Sequence, residues 1–125
     1  MKTNRIILLL TAIFVIALSG CNKQKDPTVR LQNDKFITSN KTISPADVLK
    51  FKWIAEKGKS DLYSFSIRVN GNDWYGYPVD TIPPDTYYDS TDLEGPAVQG
   101  NYAFSFVVTD TDGKIGEQTI VITVE

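Results

Sequence analysis

From Tyr63 to Val69 the chain reads Tyr-Ser-Phe-Ser-Ile-Arg-Val, with an apolar residue at every odd position and a polar one between, and Asn70-Gly71 follows at once. Successive side chains of an extended chain point to opposite faces, so this alternation describes a strand with one face in a core and the other in water. Asn-Gly is the strongest short-range hairpin signal, because a type I′ turn needs positive φ at both central positions. With a loop of two or four residues, Trp74 lands opposite Ile67 or Val69 on the core face, and Tyr75 and Tyr77 point outward. A three-residue loop reverses those faces. Pro78 has no N–H to give to a ladder, which predicts that the returning segment lies at a sheet edge.

The same period of two recurs on both sides of this hairpin. Leu49, Phe51 and Trp53 alternate with Lys50, Lys52 and Ile54, and Tyr102, Phe104, Phe106 and Val108 alternate with Ala103, Ser105 and Thr109. Asp110-Thr111-Asp112-Gly113 then turns the chain, and Ile120, Ile122 and Val124 mark a closing strand. Between them, residues 78–100 hold Pro78, Pro83, Pro84, Gly95, Pro96 and Gly100, a composition that predicts irregular chain with room for a short strand over Thr86 to Asp89. Residues 28–44 fit either a strand or a loop. No ten-residue stretch after residue 20 keeps a helical period, so the expected fold is all-β: one antiparallel sandwich of about seven strands over residues 28–125.

The first twenty residues obey different rules. Lys2 and Arg5 form a positive head, the thirteen residues Ile6 to Leu18 are apolar except for Thr11, and Ser19-Gly20 are small. That order is a secretory signal. As a helix the apolar run rises about 20 Å, too short for a hydrocarbon core of roughly 30 Å. Leu18-Ser19-Gly20-Cys21 resembles the lipobox of bacterial lipoproteins. The resemblance implies cleavage before Cys21, a diacylglyceryl thioether on its sulfur and a further acyl chain on its new amino group. Two or more acyl chains hold a protein stably on a membrane. Residues 1–20 are then a removed signal peptide, and 21–27 are the lipidated Cys with a polar tether, Asn22-Lys23-Gln24-Lys25-Asp26-Pro27. The expected location is the cell envelope, at the outer membrane, with the periplasmic or surface side left open.

Without Lys2 and Arg5 the chain keeps 11 basic and 15 acidic residues, a net charge of −4, with no basic cluster dense enough to neutralise phosphates. Nucleic acid is therefore not an expected partner. The chain contains no His, and its sole Cys is the anchor, which removes the usual bases and thiol nucleophiles at neutral pH. No enzyme activity and no cofactor are expected.

Gly100-Asn101-Tyr102-Ala103-Phe104 resembles the tyrosine corner of immunoglobulin-like sandwiches, in which a Tyr stands two residues before a core position near the start of the penultimate strand. With the Thr-Asp-Thr-Asp-Gly turn that follows, residues 45–125 are similar to immunoglobulin-like and PKD-like domains in surface lipoproteins of bacteroidete-type bacteria. The resemblance implies that Phe104 occupies the place a Cys holds in antibody domains, with Phe51 and Trp53 facing it from the partner strand.

Two places invite a ligand. Tyr75, Tyr77, Tyr87 and Tyr88 lie close in sequence, and outward rings there suit a glycan or the side chains of a protein partner. Asp110 and Asp112 sit at alternate positions before Gly113, as in half of a calcium loop, with Lys57 or Lys59 of the Glu56–Asp61 loop able to pair with them. A plain hairpin turn, in which Asp caps backbone N–H groups, is the expected reading, so no metal site is assigned. The resulting expectation is a lipid-anchored, non-enzymatic interaction module for an envelope protein, with carbohydrate capture by the surface tyrosines as the alternative.

Overall fold

The computed structural model describes residues 25–33 and 35–125. The signal segment, the lipobox, Cys21 and the first tether residues lie outside the described residues. The described chain forms eight strands: β1 (Thr28–Leu31), β2 (Lys41–Ile43), β3 (Val48–Glu56), β4 (Leu62–Val69), β5 (Asn72–Asp73), β6 (Thr86–Glu94), β7 (Gly100–Asp110) and β8 (Ile115–Val124). They make two sheets, β1-β3-β6 and β2-β8-β7-β4-β5. Every pairing is antiparallel except that of β2, which runs parallel to β8. Residues 28–44 thus supply a strand to each sheet, which settles the choice their composition left open.

The core lies between the inner faces, where β3 contributes Leu49, Phe51, Trp53 and Ala55, β4 contributes Leu62, Phe65 and Ile67, and β7 contributes Phe104, Phe106 and Val108. Trp53 stacks on Phe65 across the sandwich, with centroids 4.6 Å apart and planes 12° from parallel. The Asn70-Gly71 hairpin forms with its two-residue loop, φ being 51° and 86°, and Val69 pairs with Asn72. The tyrosine corner is present too: the Tyr102 hydroxyl donates to the Val98 carbonyl at 2.7 Å.

Two expectations about the strands themselves need correction. Tyr63 does not share the core face of Phe65. The register slips from Leu62 opposite Asp110 to Ser64 opposite Thr109, and this bulge turns Tyr63 out to 56% exposure while Leu62 takes the core position. Residues 86–94 are one long strand, not irregular chain with a short one, because β3 offers a matching partner along the whole length, from Val48 opposite Glu94 to Glu56 opposite Thr86.

The sandwich has two distinct ends. Lys25 to Pro27 lie against one of them, where Lys59 N–H donates to the Lys25 carbonyl at 3.2 Å and the backbone fills the space that side chains at Gly58 and Gly116 would need. This proximal end also carries the Lys57–Asp61 loop and the turn at 111–114. The Asn70-Gly71 turn, the loop after β6 and the last residues of β8 gather at the distal end. Nine residues of β3 separate the two by roughly 30 Å at about 3.3 Å per residue.

Candidate functional site

On the flank where β4 and β6 approach, a short aromatic segment bridges the sheets. Trp74 N–H donates to the Ile67 carbonyl at 2.7 Å, as a two-residue hairpin requires, and its half-buried ring lies 5.9 Å from that of Phe104. The chain then reverses: Tyr77 N–H donates to the Trp74 carbonyl at 3.0 Å, with Gly76 at φ 88°. Alternation holds only while a chain stays extended, and here it stops. Tyr75 is left 95% exposed at the outside of the turn. Tyr77, expected to point outward, instead returns to the flank and meets Phe65 edge-on at 6.0 Å. Val79 then pairs with Phe65 and covers the β4 edge.

Tyr87 and Tyr88 are neighbours on β6 and so face opposite ways. Tyr87 points inward, 5.5 Å from Phe65 and 6.2 Å from Trp53. Burial, with the Asp89 carboxylate nearby, pushes its phenol up to about 12, and burial also raises that of Tyr77. Tyr88 stands on the outer face opposite Ile54 and is 68% exposed. The four tyrosines therefore divide. Tyr77 and Tyr87 seal the open flank of the core, whereas Tyr75 and Tyr88 are open to solvent on different surfaces.

What the sequence reading missed is a groove of about 540 Å³ beside Tyr75, lined by Trp74, Tyr75 and residues 92–97. Leu93 is buried between Asp92 and Glu94, whose side chains point outward. Gly95 N–H donates to the Asp47 carbonyl at 2.8 Å and so fixes the loop that forms the far wall. Neither Asp92 nor Glu94 belongs to an ion pair among the described residues. The polar–apolar–polar run Asp92-Leu93-Glu94 is the sequence signal for this strand end, but three residues are too few to stand out among prolines and glycines.

The Asp110–Gly113 turn is built from backbone. Asp110 is 2% exposed, and its Oδ1 accepts the N–H groups of Asp112 and Lys114, both at 2.9 Å. Ser60 donates its hydroxyl to Asp112. The expected pairing of Lys57 with these carboxylates is not found: Lys57 pairs with Asp85 at 2.8 Å and Asp61 at 3.4 Å, because the chain entering β6 brings Asp85 closer than the turn. Asp85, ahead of Asp61, holds the Lys57 ammonium above its ordinary value. No sequence reading anticipated Asp85. Among the described residues no three His, Cys, Asp or Glu gather closely enough to hold a metal ion.

No family model matches this sequence, and no curated protein matches it. Solved structures do share its fold. The fibronectin(III)-like modules of Clostridium thermocellum CbhA superpose with a TM-score of 0.53 and 22% identity over 80% of this chain. The match covers 47% of that chain, so the present one spans about half its length. The CARDB domain of a Pyrococcus furiosus protein, solved in complex with di-metal ions, superposes with a TM-score of 0.50 and 15% identity over 82% of this chain and 90% of that one. At such identities the likeness is one of fold: an immunoglobulin-like β-sandwich.

Proposed function

We propose that the chain is a membrane-anchored lipoprotein whose single immunoglobulin-like module binds a protein partner in the cell envelope, as an accessory part of a larger complex. The observation that carries this reading is the placement of the ends. Lys25, four residues after Cys21, lies at the proximal end, while the groove beside Tyr75 opens toward the distal end. A lipid on Cys21 holds the first against the bilayer and presents the second outward. Such a module does no chemistry of its own and uses no cofactor. A photo-reactive residue in place of Tyr75, illuminated in cells, is expected to capture one protein in stoichiometric yield, and Cys21→Ser is expected to release the chain from membranes. Capture of none, with membrane binding unchanged by Cys21→Ser, sinks the proposal.

The second reading, carbohydrate capture, keeps support from Tyr75 and Tyr88, whose exposed rings suit stacking on sugars. Because they occupy separate surfaces, each would act alone. Binding to soluble glycans that Tyr75→Ala or Tyr88→Ala abolishes would favour it over the first.

A further inference from the structure

We propose that the loop joining β1 to β2, with β3 beside it, holds a phosphate or sulfate group. The loop lies on the flank opposite to Tyr75, where β1 and β2 form the edges of their sheets. Residues 35–41 curl there around a hollow of about 350 Å³, within the range of roughly 300–1,000 Å³ that small-molecule sites occupy. Two hydrogen bonds fix the loop, one to each sheet. Ile37 N–H donates to the Lys50 carbonyl of β3 at 2.9 Å, and Asn40 Oδ1 accepts the N–H of Val121 on β8 at 2.8 Å. A hollow tied to both sheets is formed before a ligand arrives, so little ordering is lost on binding.

The hollow is rich in donors. Lys35 and Lys41 line it with Thr38, Ser39 and Asn40, and no Asp or Glu does. Lys52, from the outer face of β3, holds its ammonium over the ring of Phe36, 5.8 Å from the ring centre, and Phe36 lines the same hollow. None of these three lysines belongs to an ion pair among the described residues. The N–H groups of Phe36, Thr38 and Ser39 likewise donate to no backbone carbonyl among them. Ammonium groups, hydroxyls and free N–H groups all need an acceptor, and a tetrahedral oxyanion offers several together with the opposite charge.

The site suits one anionic group and not a long polyanion. On the outer face of the same sheet Lys50 stands opposite Asp92, and Val48 opposite Glu94. A chain of phosphates running across β3 toward β6 would therefore meet like charge. The three lysines stand far apart in the sequence, and only the path of the loop past β3 gathers them.

The test follows the amide signals of the isotope-labelled full chain by nuclear magnetic resonance, in a maltoside detergent that carries no phosphate. Sodium phosphate is expected to move the signals of residues 36–40 and to saturate at millimolar concentration, while sodium chloride of equal ionic strength leaves them in place. Lys41→Gln with Lys52→Gln should weaken binding at least about tenfold, through the loss of two charge-assisted contacts. Lys41→Gln alone should weaken it about threefold, and Lys41→Arg should retain it. Lys41 is exposed, so both Lys41 variants should melt like the parent. Shifts that never saturate, that sodium chloride reproduces, that centre elsewhere on the chain or that survive the double variant overturn the inference. Glucose phosphate and phosphatidylglycerol, each added to the micelles, separate the sources of such a group. Movement of these signals by the first points to a phosphorylated sugar, by the second to a lipid headgroup, and by inorganic phosphate alone to the free ion. Because this flank is separate from the groove beside Tyr75, failure here leaves the protein-partner reading standing, and failed capture at Tyr75 leaves this site standing.

Discussion

Phe51 of β3 and Phe104 of β7 face each other across the sandwich with ring centroids 5.7 Å apart; the tyrosine-corner resemblance implies that Phe104 stands where antibody domains hold a Cys, with Phe51 and Trp53 facing it. Phe106 meets Phe51 edge-on at 4.9 Å and completes the cluster. Aromatic burial here joins the sheets in a chain whose one Cys, Cys21, lies outside the described residues. Phe104→Ala is expected to lower stability by about 3–5 kcal/mol, the cost of a lost buried ring and its cavity. Urea unfolding measures it, and a loss under about 1 kcal/mol would deny this pair its structural role.

Asp110 holds the last hairpin through the two N–H groups that its Oδ1 accepts. Asp110→Ala leaves both without that partner and is expected to cost about 2–3 kcal/mol. One carboxylate oxygen already serves backbone, and among the described residues no three His, Cys, Asp or Glu gather there to hold a metal ion, so millimolar calcium is expected to leave the parent's melting temperature unchanged. A clear rise would restore the calcium-loop reading of Asp110 and Asp112.

Tyr87 predicts an alkaline limit to stability. Its phenol is pushed up to about 12 from 10.0 in the folded chain, so above pH 10 the unfolded chain gives up a proton that the folded chain keeps. The contribution is therefore complete below pH 10 and is lost as pH rises toward 12. In Tyr87→Phe the fall of melting temperature between pH 10 and 12 should be shallower than in the parent. Parallel curves would mean that burial of this hydroxyl has no bearing on alkaline unfolding.

Asp89 is an inward-pointing charge on an edge strand, and its Oδ1 accepts the N–H of Ser90 at 2.8 Å. Long bare edges invite pairing with another chain, and both features blunt this one. Asp89→Val removes the charge and the cap together, so the variant is expected to self-associate with rising concentration. Sedimentation velocity reads this directly; a variant that stays monomeric wherever the parent does would show that the edge needs no guard.

Local chemistry made much of this molecule legible. The alternation of Leu49 to Trp53 and of Tyr102 to Val108, the turn at Asn70-Gly71 and the corner at Tyr102 are set by residues a few positions apart, and each appears as its pattern predicts. Trp74 fell opposite Ile67 for the same reason. The candidate site was legible only in part. Tyr75 and Tyr88 are exposed as read, but Tyr77 and Tyr87 are drawn into the flank, and the groove wall at Leu93 lies in an alternation too short to stand out.

The sequence by itself determined an all-β chain, the positions of its principal core strands and the residues that fill its core, because side-chain alternation and turn geometry act over short stretches. Only the tertiary structure decided that β6 runs nine residues against β3, that a bulge expels Tyr63, and that Tyr77 closes the flank beside Phe65. Each of these depends on what a distant strand offers as a partner. The groove between Trp74 and Glu94 arises in the same way, where two sheets meet that share no local pattern.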